Sequence, residues 1–411
     1  MRESIKRKDL ERGDVRMKVL QINSFYGKLS TGRIAADLVN VMNQENIEAY
    51  VATLDTTVKS PRVYSMSDSF LYNKSNILLT RLFGRHGFYN RHSTKKLLRY
   101  IDSVSPDIIH LHNIHGHYIN IKLLFDYINK HHIPVVWTLH DCWTFTGHCP
   151  HFDLIGCYKW KTGCHHCPQR RGYPDSWFFD RSKENYRDKK ELFTSVERMH
   201  IVTPSHWLAE LARQSFLGKY PVTVIHNGID TAAFRPTHSD LRKTLGLEGK
   251  FVIMGMVRNF GGTKGGEYFL KLSEKLRDDE HIILLALGED KDNLPPNITP
   301  IPATDSTRRL AEIYSTADVF VNPTLQDTFP TVNIEALACG VPVVTFKTGG
   351  SPESVTDKCG IVVEKGNVEG LYEAIERIRK EPFDRDECRS RGLLFDRDQR
   401  LSEYPEIYRS F

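Results

Sequence analysis

The sequence has no apolar run that approaches the roughly 20 residues of a membrane-spanning helix. Its first residues, MRESIKRKDLERGDVRMK, contain no apolar core of the kind found in a secretory signal. These absences predict a cytoplasmic chain. Hydrophobic residues make up 40% of the 411 positions and charged residues 26%, which excludes a mainly disordered protein.

Three common nucleotide-binding and nucleophile motifs are also absent. The sequence contains no G-x-x-x-x-G-K-[ST] phosphate loop, no G-x-G-x-x-G after the first strand-like run, and no G-x-S-x-G elbow. The second absence disfavours a dinucleotide oxidoreductase. Two Asp-x-Asp triplets, Asp384/Asp386 and Asp396/Asp398, lie in a charged tail, where we expect solvated surface instead of a metal site.

Short apolar runs alternate with helix-period segments through both halves of the chain. Apolar strands such as 251–257 and 281–287, separated by amphipathic helices, are typical of parallel sheets covered on both faces. Two such series predict an α/β protein with two doubly wound, Rossmann-like domains and a cleft between them. The predicted parts are a flexible extension at 1–16, a first domain at 17–218, a second domain at 219–384, and a C-terminal helix at 385–411 that crosses back.

Charge is unevenly distributed between these parts. Residues 1–220 carry a net charge of +11 and residues 221–411 a net charge of −6, which predicts domains that face different partners. The segment 81–100 holds six Lys or Arg and no acidic residue among Leu, Phe and Tyr. This composition suits contact with an anionic membrane leaflet, and a solvated basic face is an equal alternative. Nucleic acid is not an expected partner, because no binding motif accompanies the charge.

Cysteine is concentrated in one stretch. Five of the eight cysteines lie in 142–167, within a predicted insertion over 142–180 that has no clear secondary structure. Four thiolates ending in a C-x2-C pair fit a structural zinc site. An iron–sulfur cluster is also chemically open, and reduced buried cysteines are the third interpretation. The candidate ligands are Cys149, Cys157, Cys164 and Cys167.

The strongest constellation lies in 318–353, where a strand runs into a loop and then a helix. Asp327 on the loop and Glu335 on the helix are eight positions apart, so both carboxylates can face the cleft at the carboxyl end of the strand. Backbone amides at the helix N-terminus favour an anionic or hydroxyl-rich ligand. The predicted donor-binding residues there are Thr328, Phe329 and Pro330.

The run DTFPTVNIEALACGVPVV at 327–344, followed by GGSPE at 349–353, resembles the signature of retaining glycosyltransferases of family four. That family has the GT-B fold, two Rossmann-like domains with a sugar nucleotide between them. GMVRNFGGTKGGEYFL at 255–270 resembles the family segment that holds the donor pyrophosphate. HLHNIHG at 110–116 and HDCWTFTGHC at 140–149 are similar to the exopolysaccharide branch of the family, of the colanic-acid type.

The resemblance implies roles for three residues of the second domain. Arg258 and Lys264 would neutralise the leaving nucleoside diphosphate, whose charge grows as the glycosidic bond breaks. Glu335 would hold the donor ribose. Asp327 stands where the family usually has Glu and is one methylene shorter.

In the first domain, the histidine that matches His140 in the family touches the donor sugar near the reacting carbon. The loop 27–32, which ends at Gly32, precedes a helix, and its amides are predicted to approach the donor phosphate or the acceptor. Four histidines within 110–117 suggest a metal by their spacing, but the resemblance favours packing on the acceptor side.

The implied activity is retaining hexosyl transfer from a UDP- or GDP-linked sugar to a glycan or lipid-linked saccharide in surface polysaccharide synthesis. It would proceed by front-face displacement without a catalytic metal. A lipid-linked acceptor would place the chain at the inner face of the cell membrane. The alternatives are a non-catalytic sugar-nucleotide-binding or scaffold subunit of a polysaccharide assembly complex, and a sugar-nucleotide epimerase with the GT-B fold.

Overall fold

The structure is a computed structural model that describes residues 16–288 and 293–411. The predicted flexible extension, 1–16, therefore lies outside the described residues except for Arg16. Two fully parallel sheets organise the rest of the chain, and the predicted α/β class is confirmed. Among the described residues, no helix is both long and apolar enough to cross a membrane.

The first sheet has seven strands in the spatial order β3-β2-β1-β4-β5-β6-β7. Every residue of β4 and β5 is buried, because helices cover both faces of the sheet. The strands are β1 Lys18–Tyr26, β2 Glu48–Thr56, β3 Val63–Ser65, β4 Ile108–Leu111, β5 Val135–Thr138, β6 Met199–Thr203 and β7 Val222–Val224. The helices are α1 Leu29–Gln44, α2 Phe70–Phe83, α3 Arg91–Val104, α4 Ile121–Lys130, α5 Ser182–Thr194 and α6 His206–Gln214.

The second sheet has six strands in the order β10-β9-β8-β11-β12-β13. Three of its strands, β9, β11 and β12, are again buried along their length. The strands are β8 Phe251–Met256, β9 Glu280–Leu285, β10 Ile298–Ile301, β11 Val319–Asn322, β12 Val343–Phe346 and β13 Gly360–Val363. The helices are α7 Leu241–Thr244, α8 Glu267–Ser273, α9 Thr307–Thr316, α10 Thr331–Ala338 and α11 Val368–Lys380.

Each sheet reverses its strand order beside its first strand. The reversal lies between β1 and β4 in the first sheet and between β8 and β11 in the second. Ligands of such sheets bind in the crevice at the carboxyl ends of the strands on either side of this point. The loops that follow β1, β8 and β11 are therefore placed to line a binding cleft.

The C-terminal segment forms three short helices, where the sequence predicted one. They are α12 Arg385–Leu393, α13 Arg397–Leu401 and α14 Tyr404–Arg409. The Asp-x-Asp triplets explain the interruption, because each begins a new helix. Asp384 accepts a hydrogen bond from the Asp386 amide, and Asp396 accepts bonds from the amides of Asp398 and Gln399. The triplets are thus helix caps.

The last two helices pack on the first sheet. Tyr404 and Tyr408 are buried in the same hydrophobic cluster as Val19 of β1. The Tyr408 hydroxyl lies 2.8 Å from Nδ1 of His110 on β4. The first sheet is therefore covered in part by residues that follow the second sheet in sequence.

Candidate active site

The loops after β8 and β11 pack against each other. The Leu325 amide donates to the Thr263 carbonyl at 2.7 Å, and Lys264 Nζ donates to Asp327 Oδ2 at 2.6 Å. The Lys264 side chain is 60% exposed and that of Asp327 15%. The two loops thus hold a solvent-accessible ammonium group directly beside a carboxylate.

The paired glycines after β12 fix the backbone of the Asp327 loop. A Cβ atom on Gly349 would lie 1.7 Å from the Asp327 carbonyl oxygen, and one on Gly350 would lie 2.0 Å from that of Thr328. Gly349 also has a φ of +52°, a conformation that glycine adopts without strain. This close approach explains why both positions are glycine. It also packs the backbone after β12 directly against the Asp327 loop.

Glu335 lies on α10, and its carboxylate accepts a hydrogen bond from the Tyr314 hydroxyl at 2.8 Å. Burial raises the pKa of Glu335, while the bonds from Tyr314 and Thr331 and the charge of Arg33 oppose the rise. Because Arg33 belongs to α1 of the first domain, this electrostatic interaction crosses between the domains. The side chain remains partly accessible, so it can still meet a ligand.

A chain of hydrogen bonds supports His140, which follows β5. Gln21 Nε2 donates to the Ala35 carbonyl at 3.0 Å, which leaves its Oε1 to accept from His112 Nε2 at 2.9 Å. His112 Nδ1 then accepts from His140 Nε2 at 3.1 Å. We infer from this network that Nδ1 of His140 carries a lone pair.

Burial also sets the charge of this imidazole. It lowers the pKa of His140 to about 4, against the opposing charge of Asp141. The ring is therefore neutral at pH 7. Together with the hydrogen-bond chain, this makes Nδ1 of His140 an acceptor suited to a hydroxyl group.

Side-chain contacts join the two domains around the cleft. Thr328 Oγ1 donates to the His140 carbonyl at 3.1 Å, so the Asp327 loop meets the end of β5. Glu353 accepts the backbone amides of His206 and Trp207 at 2.8 Å each and thereby caps α6. These bonds bring the Asp327 loop of the second domain against His140 of the first domain.

The predicted donor-binding residues differ in what they offer to a ligand. The Phe329 side chain is 2% exposed and packs against the rings of His226 and Phe395, so its side chain is structural. Pro330 is the residue before α10. A Cβ on Gly32 would lie 3.0 Å from Phe25, which explains the glycine by close helix–strand packing.

Arg258 follows β8 and is exposed, and its carbonyl accepts the Gly288 amide at 3.0 Å. The histidines of 110–117 form no group of three potential metal ligands within the described residues. His112 supports His140, while His115 Nε2 lies 2.8 Å from Asp141 Oδ2 and its Nδ1 lies 3.0 Å from the Tyr173 hydroxyl.

Sequence reasoning missed several residues that shape this site. Gln21, Arg33 and Tyr314 carry no local motif, and their roles depend on partners distant in sequence. Glu353 was visible as the last residue of GGSPE, but its capping of α6 was not. Within the part of the chain that the structure describes, one group of three potential metal-binding atoms lies within 4.8 Å, from His206, His226 and Glu353. Glu353 already accepts two backbone amides of the first domain there. We therefore interpret this group as part of the contact between the two domains.

Solved structures share this architecture. Sucrose-phosphate synthase from Thermosynechococcus elongatus superimposes with a TM-score of 0.70 over 96% of this chain and 99% of that chain, at 16% identity. Anabaena Alr3699/HepE in complex with UDP gives a TM-score of 0.65 over 96% and 100%, also at 16% identity. The two sheets and the cleft between them therefore define a GT-B fold.

Family comparison gives the more specific assignment. The model described as Glycosyltransferase Family 4 matches residues 31–233, and that described as Glycosyl transferases group 1 matches residues 249–381. The Escherichia coli K12 protein named as colanic acid biosynthesis glycosyl transferase WcaC is 29% identical over 351 residues, 82% of this chain and 84% of that protein. D-inositol 3-phosphate glycosyltransferase of Segniliparus rotundus is 30% identical over 183 residues, 38% of this chain and 40% of that protein. The chain belongs to the GT-B glycosyltransferases of group 1 and family 4, as its motifs predicted.

Proposed function

We propose that this glycosyltransferase is a retaining enzyme that moves a hexose from a UDP- or GDP-linked donor to a glycan or lipid-linked acceptor in surface polysaccharide synthesis. One observation carries the proposal. The Asp327 loop joins the basic loop of Lys264 on one side and the end of β5, with its neutral His140, on the other. The likeness to WcaC supports the polysaccharide role, and UDP in the similar Anabaena structure supports a nucleotide donor.

The proposed reaction needs no nucleophile from the protein. The bond between the sugar C1 and the donor β-phosphate oxygen breaks while the acceptor oxygen bonds to C1 on the same face. The proton of the acceptor hydroxyl passes to the leaving phosphate. Arg258 and Lys264 stabilise the charge on that phosphate, and Glu335 accepts hydrogen bonds from the two ribose hydroxyls.

The ion pair between Lys264 and Asp327 has a specific place in this scheme. A donor diphosphate that binds Lys264 competes with the Asp327 carboxylate for the same ammonium group. Asp327 is then released to accept a hydroxyl of the donor sugar, although its side chain is one methylene shorter than the Glu usual in the family. Nδ1 of His140 accepts a second sugar hydroxyl.

A nucleotide-sugar screen by thermal shift tests the donor proposal. A ligand that binds only the native state at 100 times its Kd adds about 2.7 kcal/mol of stability. We expect a UDP- or GDP-sugar to raise the Tm of the wild-type protein and to raise that of Glu335→Gln much less. Incubation of the best ligand with the wild type must then release nucleoside diphosphate. Binding without transfer or hydrolysis would favour the scaffold alternative, and an epimerised nucleotide sugar would favour the epimerase.

We further propose that the first domain contacts an anionic membrane surface, through apolar residues that lie mostly outside the segment expected from the sequence. In the predicted segment 81–100, Leu97 is buried in the core, and Phe83 is the one large apolar side chain that is exposed, at 46%. The exposed apolar residues instead lie on α2 and on the insertion loop nearby, where the Phe83 and Phe179 rings stack with centroids 6.3 Å apart. The α2 surface consists of Phe70, Leu71, Leu78, Phe83, Trp177, Phe178 and Phe179.

Charge complementarity favours lipid as the occupant of the α2 surface. Residues 69–101 contain seven Lys or Arg and no Asp or Glu. Lys74 lies over the Phe70 ring and Arg81 over the Trp177 ring, so cations border the apolar side chains. This combination is typical of interfacial surfaces that bind anionic lipid.

Vesicle sedimentation tests this contact. We expect the wild type to bind phosphatidylglycerol-containing vesicles and to bind pure phosphatidylcholine weakly. Replacing Phe70 and Leu71 by Glu should weaken binding at least tenfold, because each buried apolar side chain contributes about 1.5–3 kcal/mol. Leu394→Glu, at an exposed site in the C-terminal segment, is the matched control. Equal binding by the Phe70/Leu71 variant and the wild type would contradict the proposal.

A further inference from the structure

The insertion after β5 has a core but almost no regular secondary structure. Its described elements between Thr138 and Ser182 are three single 3-10 turns, Trp143–Phe145, Asp153–Ile155 and Lys159–Lys161. Phe145, Phe152 and Trp160 are buried and in ring contact at 5.1–5.2 Å. So long a segment without helix or strand is uncommon in a compact domain, and most of the backbone hydrogen bonds within this one close local turns.

Four cysteines surround one small cavity beside this aromatic core. The cavity has a volume of about 20 Å³, and its lining includes all four of the predicted zinc ligands. All four are free thiols. The fold thus places residues from four positions across 149–167 around one small cavity, although no three of their sulfurs lie within 4.8 Å of one another.

One backbone amide donates to a cysteine of the cluster. The Gly147 amide donates a hydrogen bond to Cys164 Sγ at 3.2 Å. A Cβ on Gly147 would lie 2.2 Å from the Ser182 carbonyl oxygen and 2.7 Å from Cys164 Cβ, so only glycine permits this approach. Hydrogen bonds of this kind to a ligand atom orient it and tune a metal site.

A buried lysine lies near the cluster, where burial lowers its pKa to about 7 and its Nζ donates to the Trp143 carbonyl. Lys189 of α5 is 1% exposed, and its Nζ lies 3.6 Å from the centre of the Trp143 ring. Among the described residues, no carboxylate lies within ion-pair distance of it, although a buried charge requires a compensating partner. Zinc held by four thiolates has an excess of two negative charges, so a filled site would favour the charged form of Lys189.

We propose that Cys149, Cys157, Cys164 and Cys167 bind one structural Zn²⁺. Tetrahedral coordination at about 2.3 Å from zinc to sulfur would draw the four sulfurs inward around the cavity. The metal would then cross-link the insertion where secondary structure does not. The insertion in turn supports the cleft, because Asp153 pairs with Lys365 of the second domain at 3.3 Å and Tyr173 meets His115.

Metal analysis of the full chain, purified without chelator, tests the proposal independently of any activity. We expect about one zinc per chain, as a closed four-ligand site requires. Replacement by Co²⁺ should give strong thiolate-to-cobalt charge transfer and tetrahedral visible bands. Chelation should lower the Tm, and added zinc should restore it, because binding energy at such a site is folding energy.

Cysteine variants supply the matched comparison. Cys164→Ser and Cys167→Ser should lose most of the zinc, whereas Cys142→Ala should keep it. Cys142 is buried in the same insertion but does not line the cavity. Iron with visible absorption in place of zinc, or less than about a tenth of an equivalent of metal in wild-type protein, would overturn the proposal. Since the cobalt spectrum is recorded on the wild type, a poorly folding variant cannot decide the outcome.

Discussion

Replacement of Lys264 by alanine should lower kcat for sugar transfer by a factor of about 10²–10³, the usual effect of removing one preorganised group that stabilises transition-state charge. The Lys264 ammonium is exposed and its one ion pair in the described structure is with Asp327. Its removal therefore takes away charge stabilisation with little loss of packing. Steady-state kinetics of the purified variant, with its Tm as a check on folding, measure the effect.

Lys271→Ala is the control for this experiment. Lys271 is an exposed lysine of α8, paired with Glu267 four residues earlier, and its loss should leave kcat unchanged.

Glu335→Gln should also abolish most transfer, since an amide offers the ribose hydroxyls one acceptor oxygen in place of two. Gln keeps an acceptor for the buried Tyr314 hydroxyl, so the fold should survive. Normal turnover in both Lys264→Ala and Glu335→Gln would exclude the proposed catalytic site.

The largest expected loss of stability comes from Tyr408→Ala. Tyr408 is fully buried on the first sheet, and truncating a large buried aromatic side chain costs about 3–5 kcal/mol. The change also removes the hydroxyl partner of His110 Nδ1, and an unpaired buried nitrogen adds to the cost. The midpoint of urea unfolding, followed by fluorescence and circular dichroism, measures the loss.

Tyr408→Phe separates the two contributions, because it keeps the ring and removes only the hydroxyl. We expect it to cost about 1–3 kcal/mol, the penalty for leaving His110 Nδ1 unsatisfied. The His110 ring stacks on His112 at 4.2 Å, and His112 holds His140, so both variants should also reduce transfer. A Tyr408→Ala protein as stable as the wild type would show that the C-terminal helices are dispensable to the first domain.

Local patterns were sufficient to predict the parallel sheets and the loops of the second domain. Buried strands read as continuous apolar runs, and the segment at 327–353 carries its own loop and helix signals. The Lys264–Asp327 pair follows from these loops, because both leave adjacent strands at the same edge. These features are local, or depend on a strand order that is common to doubly wound sheets.

Other features depend on contacts that no local pattern records. The sequence carries no clear amphipathic pattern for helix α2, because its apolar residues are exposed and do not form a core-facing stripe. The prediction of a single C-terminal helix was wrong, because Asp384 and Asp396 each cap the start of a new helix. The contact between His110 and Tyr408 spans 298 residues, so the sequence alone could not connect α14 to the histidine chain behind His140.

The return of α13 and α14 to the first sheet also makes the order of synthesis matter. The first sheet is translated early, but the aromatic side chains that cover His110 and Thr138 come after the whole second sheet. During translation, polar groups and apolar strand surface of the first domain therefore remain uncovered until residues 397–409 have left the ribosome. In the complete enzyme, α13 and α14 cover the first sheet. Assembly of the sugar-transfer cleft therefore depends on completion of both domains.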